Sequence, residues 1–396
     1  MRIFETLLVI FATLCSTIIA SAQEATERGF NLIVVGDSQP QTEAHMASLE
    51  RDIIPQIGAI VDEYRAASNI PTAILITGDV VWDNMSLLPR VKSAFESLGV
   101  PVYAVIGNHD HNRKHSRNQR RAEQNFEEVF GPRNQAFMLG ETLFLTFDNI
   151  EYRANKTYGE GIDVEQLIWL AGIMEQTPED VRIAACMHAL VTDRNTQKLK
   201  SYAKPIAAMV GSRDLHFITG HHHNHGTYDI SQNVIEHNVA QVSGNLWYAP
   251  ICSDGTPRGV FCIEERNGEW TWHHRLLGKS ADDCLITWSK GEVEDNEDYI
   301  VVKVIGWDSK WSVEWYEDGV SRGAMEQIAI LDHDYLQYVE NEANYKPKYM
   351  KRLMRSAHRH SHYYRCKPTT PNSEIRIVAT DRFGRRYESI AQRESR

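Results

Sequence analysis

The sequence predicts an α/β layered core followed by a small all-β unit. Three observations carry this. From Phe30 to about Gly278, short apolar runs alternate with amphipathic stretches of helical spacing. After about Lys279 the pattern changes to short alternating runs separated by tight-turn signals. The polar clusters of the first part each lie just past the end of an apolar run, where α/β sheets place their sites.

In the first part, Asn31–Val35, Ala73–Ile76, Val102–Ile106, Leu143–Phe147, Ile183–Met187 and Leu215–Ile218 read as buried strands. Glu43–Ala67, Leu87–Leu98 and Val164–Glu175 carry apolar residues at helical spacing, with Pro55 marking a break or kink in the first. In the second part, Tyr299–Ile305 and Trp311–Tyr316 read as strands, with Glu317-Asp318-Gly319 as a hairpin turn. Glu374–Thr380 followed by Asp381-Arg382-Phe383-Gly384 repeats that grammar, and a small β-sandwich fits it.

The chain of 396 residues is long for one domain, and its 42% hydrophobic share supplies a core without a disulfide framework. Residues 1–22 read as a signal peptide: Arg2, an apolar run Leu7–Ala20, then Ala20-Ser21-Ala22 as an A-x-A cleavage site. The expected division is 1–22 leader, 23–279 α/β domain and 280–396 β domain, in a periplasmic or secreted protein. No later segment is apolar enough to span a bilayer.

Export permits disulfides. Without Cys15 of the leader, Cys186, Cys252, Cys262, Cys284 and Cys366 remain, an odd number with no C-x-x-C pair, which excludes a zinc ribbon. A bridge between Cys252 and Cys262 stays open. The net charge of −11 argues against a polynucleotide partner. The run Arg113, Lys114, Arg117, Arg120 and Arg121 opposes it locally, as a solvated helix face or, less readily, a patch for a substrate anion.

Five loops carry chemistry: Gly36-Asp37-Ser38-Gln39, Gly78-Asp79, Gly107-Asn108-His109-Asp110, Met187-His188-Ala189 and Gly220-His221-His222-His223. Singly, the Asp and Asn residues read as caps or turn formers. Together, carboxylates, an amide oxygen and imidazoles suit divalent ions such as Zn, Mn or Fe. A carboxylate shared by two ions would let them acidify one water and clamp both oxygens of an in-line displacement.

The order Asp, Gly-Asp, Gly-Asn-His-Asp, His, Gly-His-x-His, each after a strand, resembles the calcineurin-like metallophosphoesterase superfamily from about Asn31 to Gly278. The stretch with Trp311, Glu317-Asp318-Gly319 and Thr380–Gly384 resembles the C-terminal domain of an exported bacterial subfamily. The resemblance implies two facing mixed β-sheets flanked by helices. It implies that Asp79 bridges two metals, that Asp37 and His223 complete one site, and that Asn108, His188 and His221 complete the other. His109 then faces the substrate as general acid or transition-state stabiliser, oriented by Asp83 or Asp110. The implied activity is hydrolysis of a phosphomonoester or phosphodiester, and export with an acidic surface suggests a small or glycan- or lipid-linked phosphate of the cell envelope as substrate. The superfamily's first motif is usually Asp-x-His, and here Gln39 holds the last position, an amide where an imidazole is usual. That departure keeps a second reading, a metal-loaded phosphate binder without turnover.

Two further features stand apart. His358, His360 and His362 alternate, as one face of a strand, and read as a solvated face or, less readily, a metal site. Trp307, Trp311 and Trp315 read as sandwich core, with a sugar-stacking platform as the alternative and with it a third reading, a glycan-binding protein acting through this domain.

Overall fold

The computed structural model describes residues 28–153, 155–341, 344, 353, 357–370 and 372–391. The leader expected at 1–22 lies outside them. Among the described residues no helix is long and apolar enough to cross a membrane.

The predicted strands of the first part form two mixed sheets. One has the order Glu269–Leu276, Gly259–Arg266, Gly29–Val35, Thr72–Ile76, Val102–Ala104. The other has the order Gly226–Ser231, Val234–Asn238, Leu215–Thr219, Arg182–Cys186, Thr142–Thr146, Ala136–Leu139. Gly29–Val35, Thr72–Ile76 and Val102–Ala104 run parallel. So do Thr142–Thr146, Arg182–Cys186, Leu215–Thr219 and Val234–Asn238. The remaining strands, Gly259–Arg266 and Glu269–Leu276 in one sheet and Gly226–Ser231 and Ala136–Leu139 in the other, pair antiparallel.

The two-residue period of a strand explains the layering. Phe30, Leu32 and Val34 point between the sheets and meet Phe144, Ala184 and Ile218. Ile33 and Val35 point the other way, against Ile57 and Val61 of the helix Ile54–Ala67. On the far side, Leu143, Leu145, Ile183 and Phe217 pack with Leu170 and Ile206 of the helices Val164–Gln176 and Lys204–Val210. Strands buried on both faces read as continuous apolar runs, as these did.

The long helical stretch breaks where Pro55 predicts. Glu43–Ser48, capped by the Thr42 hydroxyl, passes through a π-turn at Leu49–Ile53 into Ile54–Ala67, with Pro55 in the first turn, where its missing N–H is no loss. The basic run divides. Arg120 and Arg121 lie in the helix Gln119–Phe130, which buries Ala122, Phe126 and Phe130, while Arg113 reaches Asp83 at 3.2 Å.

The second part is a sandwich of two antiparallel four-stranded sheets. One contains Leu285–Trp288, Ile300–Val304, His360–Cys366 and Glu326–Ile330; the other contains Val320–Ala324, Ser312–Glu317, Ile375–Thr380 and Arg386–Ala391. Val302, Val304 and Tyr364 of the first meet Val313, Trp315 and Ile377 of the second. Trp307 and Trp311 pack against the same core, so the core reading of the tryptophans holds. Asp318 and Gly319 both have positive φ, 49° and 79°, the turn that matches strand twist in a two-residue hairpin. Among the elements the sequence reading did not pick out here are the strands Leu285–Trp288, Glu326–Ile330 and His360–Cys366 and the helix His333–Glu340.

The two parts are joined by buried polar contacts. Lys303 Nζ donates to the Gly255 carbonyl at 2.7 Å and pairs with Asp332 at 2.8 Å. Arg382 bridges Asp229 and Asp308. Cys186, Cys252, Cys262, Cys284 and Cys366 are all buried free thiols, so Cys252 and Cys262 form no bridge.

Candidate metal centre

Each of the five loops leaves the carboxyl end of a parallel strand. Asp37 and Gln39 follow Gly29–Val35, Asp79 follows Thr72–Ile76, and Asn108 and His109 follow Val102–Ala104. His188 follows Arg182–Cys186, and His221 and His223 follow Leu215–Thr219. Parallel strands end at one edge, so residues up to 186 positions apart in sequence meet there. All eight predicted site residues converge, and Asp37, Gln39, Asp79, Asn108 and His188 are fully buried or nearly so.

The backbone is bent to deliver them. Gln39, Asp79, Asp83, His221 and His223 all have positive φ, between 43° and 70°. Each such non-glycine residue costs on the order of 1 kcal/mol, strain that persists where a site needs it. Gly107 lets two loops touch: a Cβ there would lie 2.1 Å from the Asp79 amide nitrogen.

Two groups of ligand atoms share one carboxylate. Asp79, His188 and His221 form one; Asp37, Asp79 and His223 form the other. In the first, His188 Nδ1 lies 2.8 Å from the Thr77 carbonyl, an acceptor only, so Nδ1 carries a proton. The opposite atom, Nε2, lies 3.1 Å from both Asn108 Oδ1 and His221 Nδ1 and 3.4 Å from Asp79 Oδ1. These atoms converge on a point that calls for positive charge, whether a proton on Nε2 or a cation in its place. Burial works to lower the His188 pKa, but the Asp79 and Asp37 carboxylates overcome it and push it up to about 10. In the second group, His223 Nε2 lies 3.0 Å from Asp37 Oδ2, yet that oxygen has no aligned hydrogen-bond donor. Gln39 Nε2 donates to Asp79 Oδ2 at 2.6 Å, and Gln39 Oε1 is buried without a partner. Orphaned buried acceptors beside two carboxylates are what a divalent cation would satisfy.

His109 sits at the rim, partly exposed, its ring against Trp82. Its Nδ1 meets Asp83 Oδ1 at 3.0 Å, and Asp83 meets Arg113. Asp110, the other carboxylate considered for this role, instead accepts the backbone N–H groups of Val80, Val81 and Gly107 and so ties two loops together. Burial lowers the His109 pKa, but Asp79 and Asp83 outweigh it and raise it above the ordinary value. His111 is buried between the Gly107 carbonyl and Asp148.

Sequence reasoning missed Asp148, Asn149 and Tyr152. Asn149 Oδ1 accepts from the His188 and Ala189 amides, fixing that loop, and Tyr152 Oη donates to the Asn108 carbonyl at 2.6 Å. Asp148 and Asn149 follow the strand Thr142–Thr146, so the strand-end rule that found the other five loops points to them too. Beside His221 the site opens into a broad basin of about 900 Å³, lined by Tyr158, Tyr202, Lys198, Lys200 and Lys204.

Two facing mixed sheets with carboxylates and imidazoles gathered at their strand ends define a metallohydrolase architecture. The chain belongs to the calcineurin-like phosphoesterase family: the family model matches residues 30–238, and that of the C terminal of calcineurin-like phosphoesterase matches 236–387. The second match begins inside the first domain's sheets, since Gly259–Arg266 pairs with Gly29–Val35 and Glu269–Leu276 pairs with Gly259–Arg266. No curated protein matches the chain. Among solved structures, it is similar to a dimetal phosphatase from Danio rerio, at 13% identity over 63% of this chain and 100% of that one, with a TM-score of 0.40. It is also similar to a purple acid phosphatase from yellow lupin seeds, at 11% identity over 63% of this chain and 52% of that one, with a TM-score of 0.45. A 5'-nucleotidase from Candida albicans matches at 10% identity over 63% of this chain and 51% of that one, with a TM-score of 0.38. The match spans about half the length of the latter two.

Proposed function

We propose that the chain hydrolyses phosphate esters at a centre of two divalent cations, with Mn, Zn or Fe as the candidates. One observation carries the reading: Asp79 belongs to both groups of ligand atoms. Asp37, Gln39 and His223 would complete one position with Asp79, and Asn108, His188 and His221 the other. The chemistry supplied by bound ions is activation of a water and neutralisation of phosphate charge.

The chain's own residues do the rest. Thr77 fixes the His188 tautomer, so that Nε2 faces the centre. The backbone strain at Asp79 and His221 holds their side chains in place before substrate arrives. His109, whose pKa Asp79 and Asp83 raise, faces the rim and hands a proton to the departing alcohol oxygen. The open basin leaves room for phosphomonoesters or phosphodiesters, with Lys198 and Lys204 on its lining alongside the Lys200–Glu160 pair.

The reading without turnover draws on Gln39, whose amide hydrogen-bonds the shared carboxylate. The buttressed proton donor at His109 weighs the other way. The test is a panel of phosphomonoesters and phosphodiesters against protein loaded with Mn, Zn or Fe, with Asp79→Ala as partner. The expected result is turnover in the wild type, and loss of both turnover and metal in the variant. Full metal occupancy in Asp79→Ala would rule out the bridging role, and no turnover with any metal would favour the binder.

A further inference from the structure

The loop bearing His221 and His223 continues as Asn224-His225-Gly226 and reaches the C-terminal domain. A cavity of about 370 Å³ opens there between the two domains. Arg194, Asn224 and His225 line it from one side, and Trp307, His360 and His362 from the other. In a chain with 53 acidic and 42 basic residues, no carboxylate among the described residues lines this cavity, while two arginines and four histidines do.

This corrects the solvated-face reading for His360 and His362, while His358 remains exposed. His360 and His362 share one face of the strand His360–Cys366, their ring centroids 5.7 Å apart, and that face looks into the cavity. Nε2 of each is buried and without a hydrogen-bond partner, while the His225 ring beside them reaches the Gly306 backbone. Arg194 Nη2 donates to Asn224 Oδ1 at 2.7 Å, which holds the guanidinium at the rim. Asp254 lies behind this wall, its oxygens already accepting from the His225 amide and from Thr256.

The cavity's complement is an anion rather than a metal. Among the described residues, no three ligand atoms here approach one another as those around Asp79 do. Arg194 and Arg359 at the lining also repel a cation. Burial keeps His360 and His362 below the ordinary imidazole pKa, so each ring is neutral at neutral pH and, in the tautomer with the proton on Nε2, brings one N–H donor to the cavity. Buried donors without acceptors are unusual unless something else supplies the acceptor.

We propose that this interdomain cavity is an oxyanion-binding site for a phosphate or carboxylate group, gripped by Arg194 from one domain and by His360 and His362 from the other. Two sources fit the chemistry: a second acidic group on the substrate, or free inorganic phosphate. The first source rests on the phosphoesterase reading; the binding site does not.

The test is calorimetric titration of the metal-loaded protein with inorganic phosphate. Asp79→Ala, which disables the metal centre, is expected to retain one phosphate equivalent. Arg194→Ala, an exposed position, and His360→Asn, on the opposite wall, are each expected to weaken that equivalent at least tenfold. Loss of all phosphate binding in Asp79→Ala, or unchanged binding in both cavity variants, would overturn the proposal. If phosphate binds only at the cavity in the wild type, the phosphoesterase reading fails while this one stands.

A second arm separates the sources. If the cavity serves the substrate, Arg194→Ala lowers kcat/KM about tenfold for a glycerol bisphosphate and leaves p-nitrophenyl phosphate unchanged. If it serves free phosphate, both rates hold while the titration still loses the site.

Discussion

His109 depends on a carboxylate that is itself held by an arginine. Asp83 accepts the His109 ring at 3.0 Å and Arg113 at 3.2 Å. His109→Ala is expected to keep metal content and slow turnover on the order of a hundredfold, as loss of a general acid does. The loss should shrink for good leaving groups, so a Brønsted series over aryl phosphates checks it; equal losses across the series would point to electrostatic stabilisation instead. The pH dependence has a definite sign. Asp83 raises the His109 pKa, and a general acid must be protonated, so activity falls as pH rises through that pKa. Asp83→Asn removes the charge, so the alkaline limb of the kcat profile should move to lower pH. A limb that stays put would show that another group titrates there. Gln39 makes a second residue-scale case. Its amide bonds Asp79 Oδ2 where an imidazole is usual, so the position with Asp37 and His223 should bind metal more weakly than the other. Titration of wild type and Gln39→His should find one weak site tightened by the substitution. Two equally tight sites in the wild type would sink that account. The departure at Gln39 was legible from the sequence; its bond to Asp79 was not, because that requires a loop at φ 43°.

At the scale of elements, the site exists because five strand-end loops touch, and glycines permit the touching. A Cβ on Gly107 would meet Asp79 backbone at 2.1 Å, which no rotamer change relieves. Gly107→Ala should therefore push the Asn108-His109 loop off Asp79, losing activity at least a hundredfold and stability by about 1–3 kcal/mol. Activity assays beside urea melts check this, and an active, stable variant would mean the loops slide apart freely. The strands that carry these loops were readable because burial on both faces makes them uniformly apolar, as in Ile183–Met187. Gly259–Arg266 and Glu269–Leu276 were not picked out. They carry Glu264, Glu265, His273 and His274, and the buried Trp270 and Trp272 appear only at alternate positions. The helix Gln119–Phe130 was obscured in the same way, its stripe of Ala122, Phe126 and Phe130 set among charges.

At the scale of the whole molecule, the division into an α/β part and a β part was legible as a change in period, while their joint was not. It is built from polar residues that a sequence does not single out. Lys303 and Asp332 have fully buried side chains 2.8 Å apart, and Lys303 also donates to the Gly255 carbonyl across the junction. Tyr363 Oη ties the Asp254 carbonyl to the Asp332 carboxylate. A buried pair of this kind contributes little against an apolar replacement of both members, but removing one member leaves the other's charge stranded. Lys303→Met should thus destabilise the protein by about 3–5 kcal/mol, because Asp332 keeps its charge and loses its cation. Lys303→Met combined with Asp332→Asn should recover much of that loss. Asn can still accept from the Tyr335 amide, the cap that starts the helix His333–Glu340, and it carries no charge. Urea unfolding followed by tryptophan fluorescence compares the three proteins. A single variant within about 0.5 kcal/mol of wild type would mean that water reaches Asp332 and that the joint is looser than its packing. A double variant no better than the single would place the cost on the lost Gly255 contact rather than on the stranded charge.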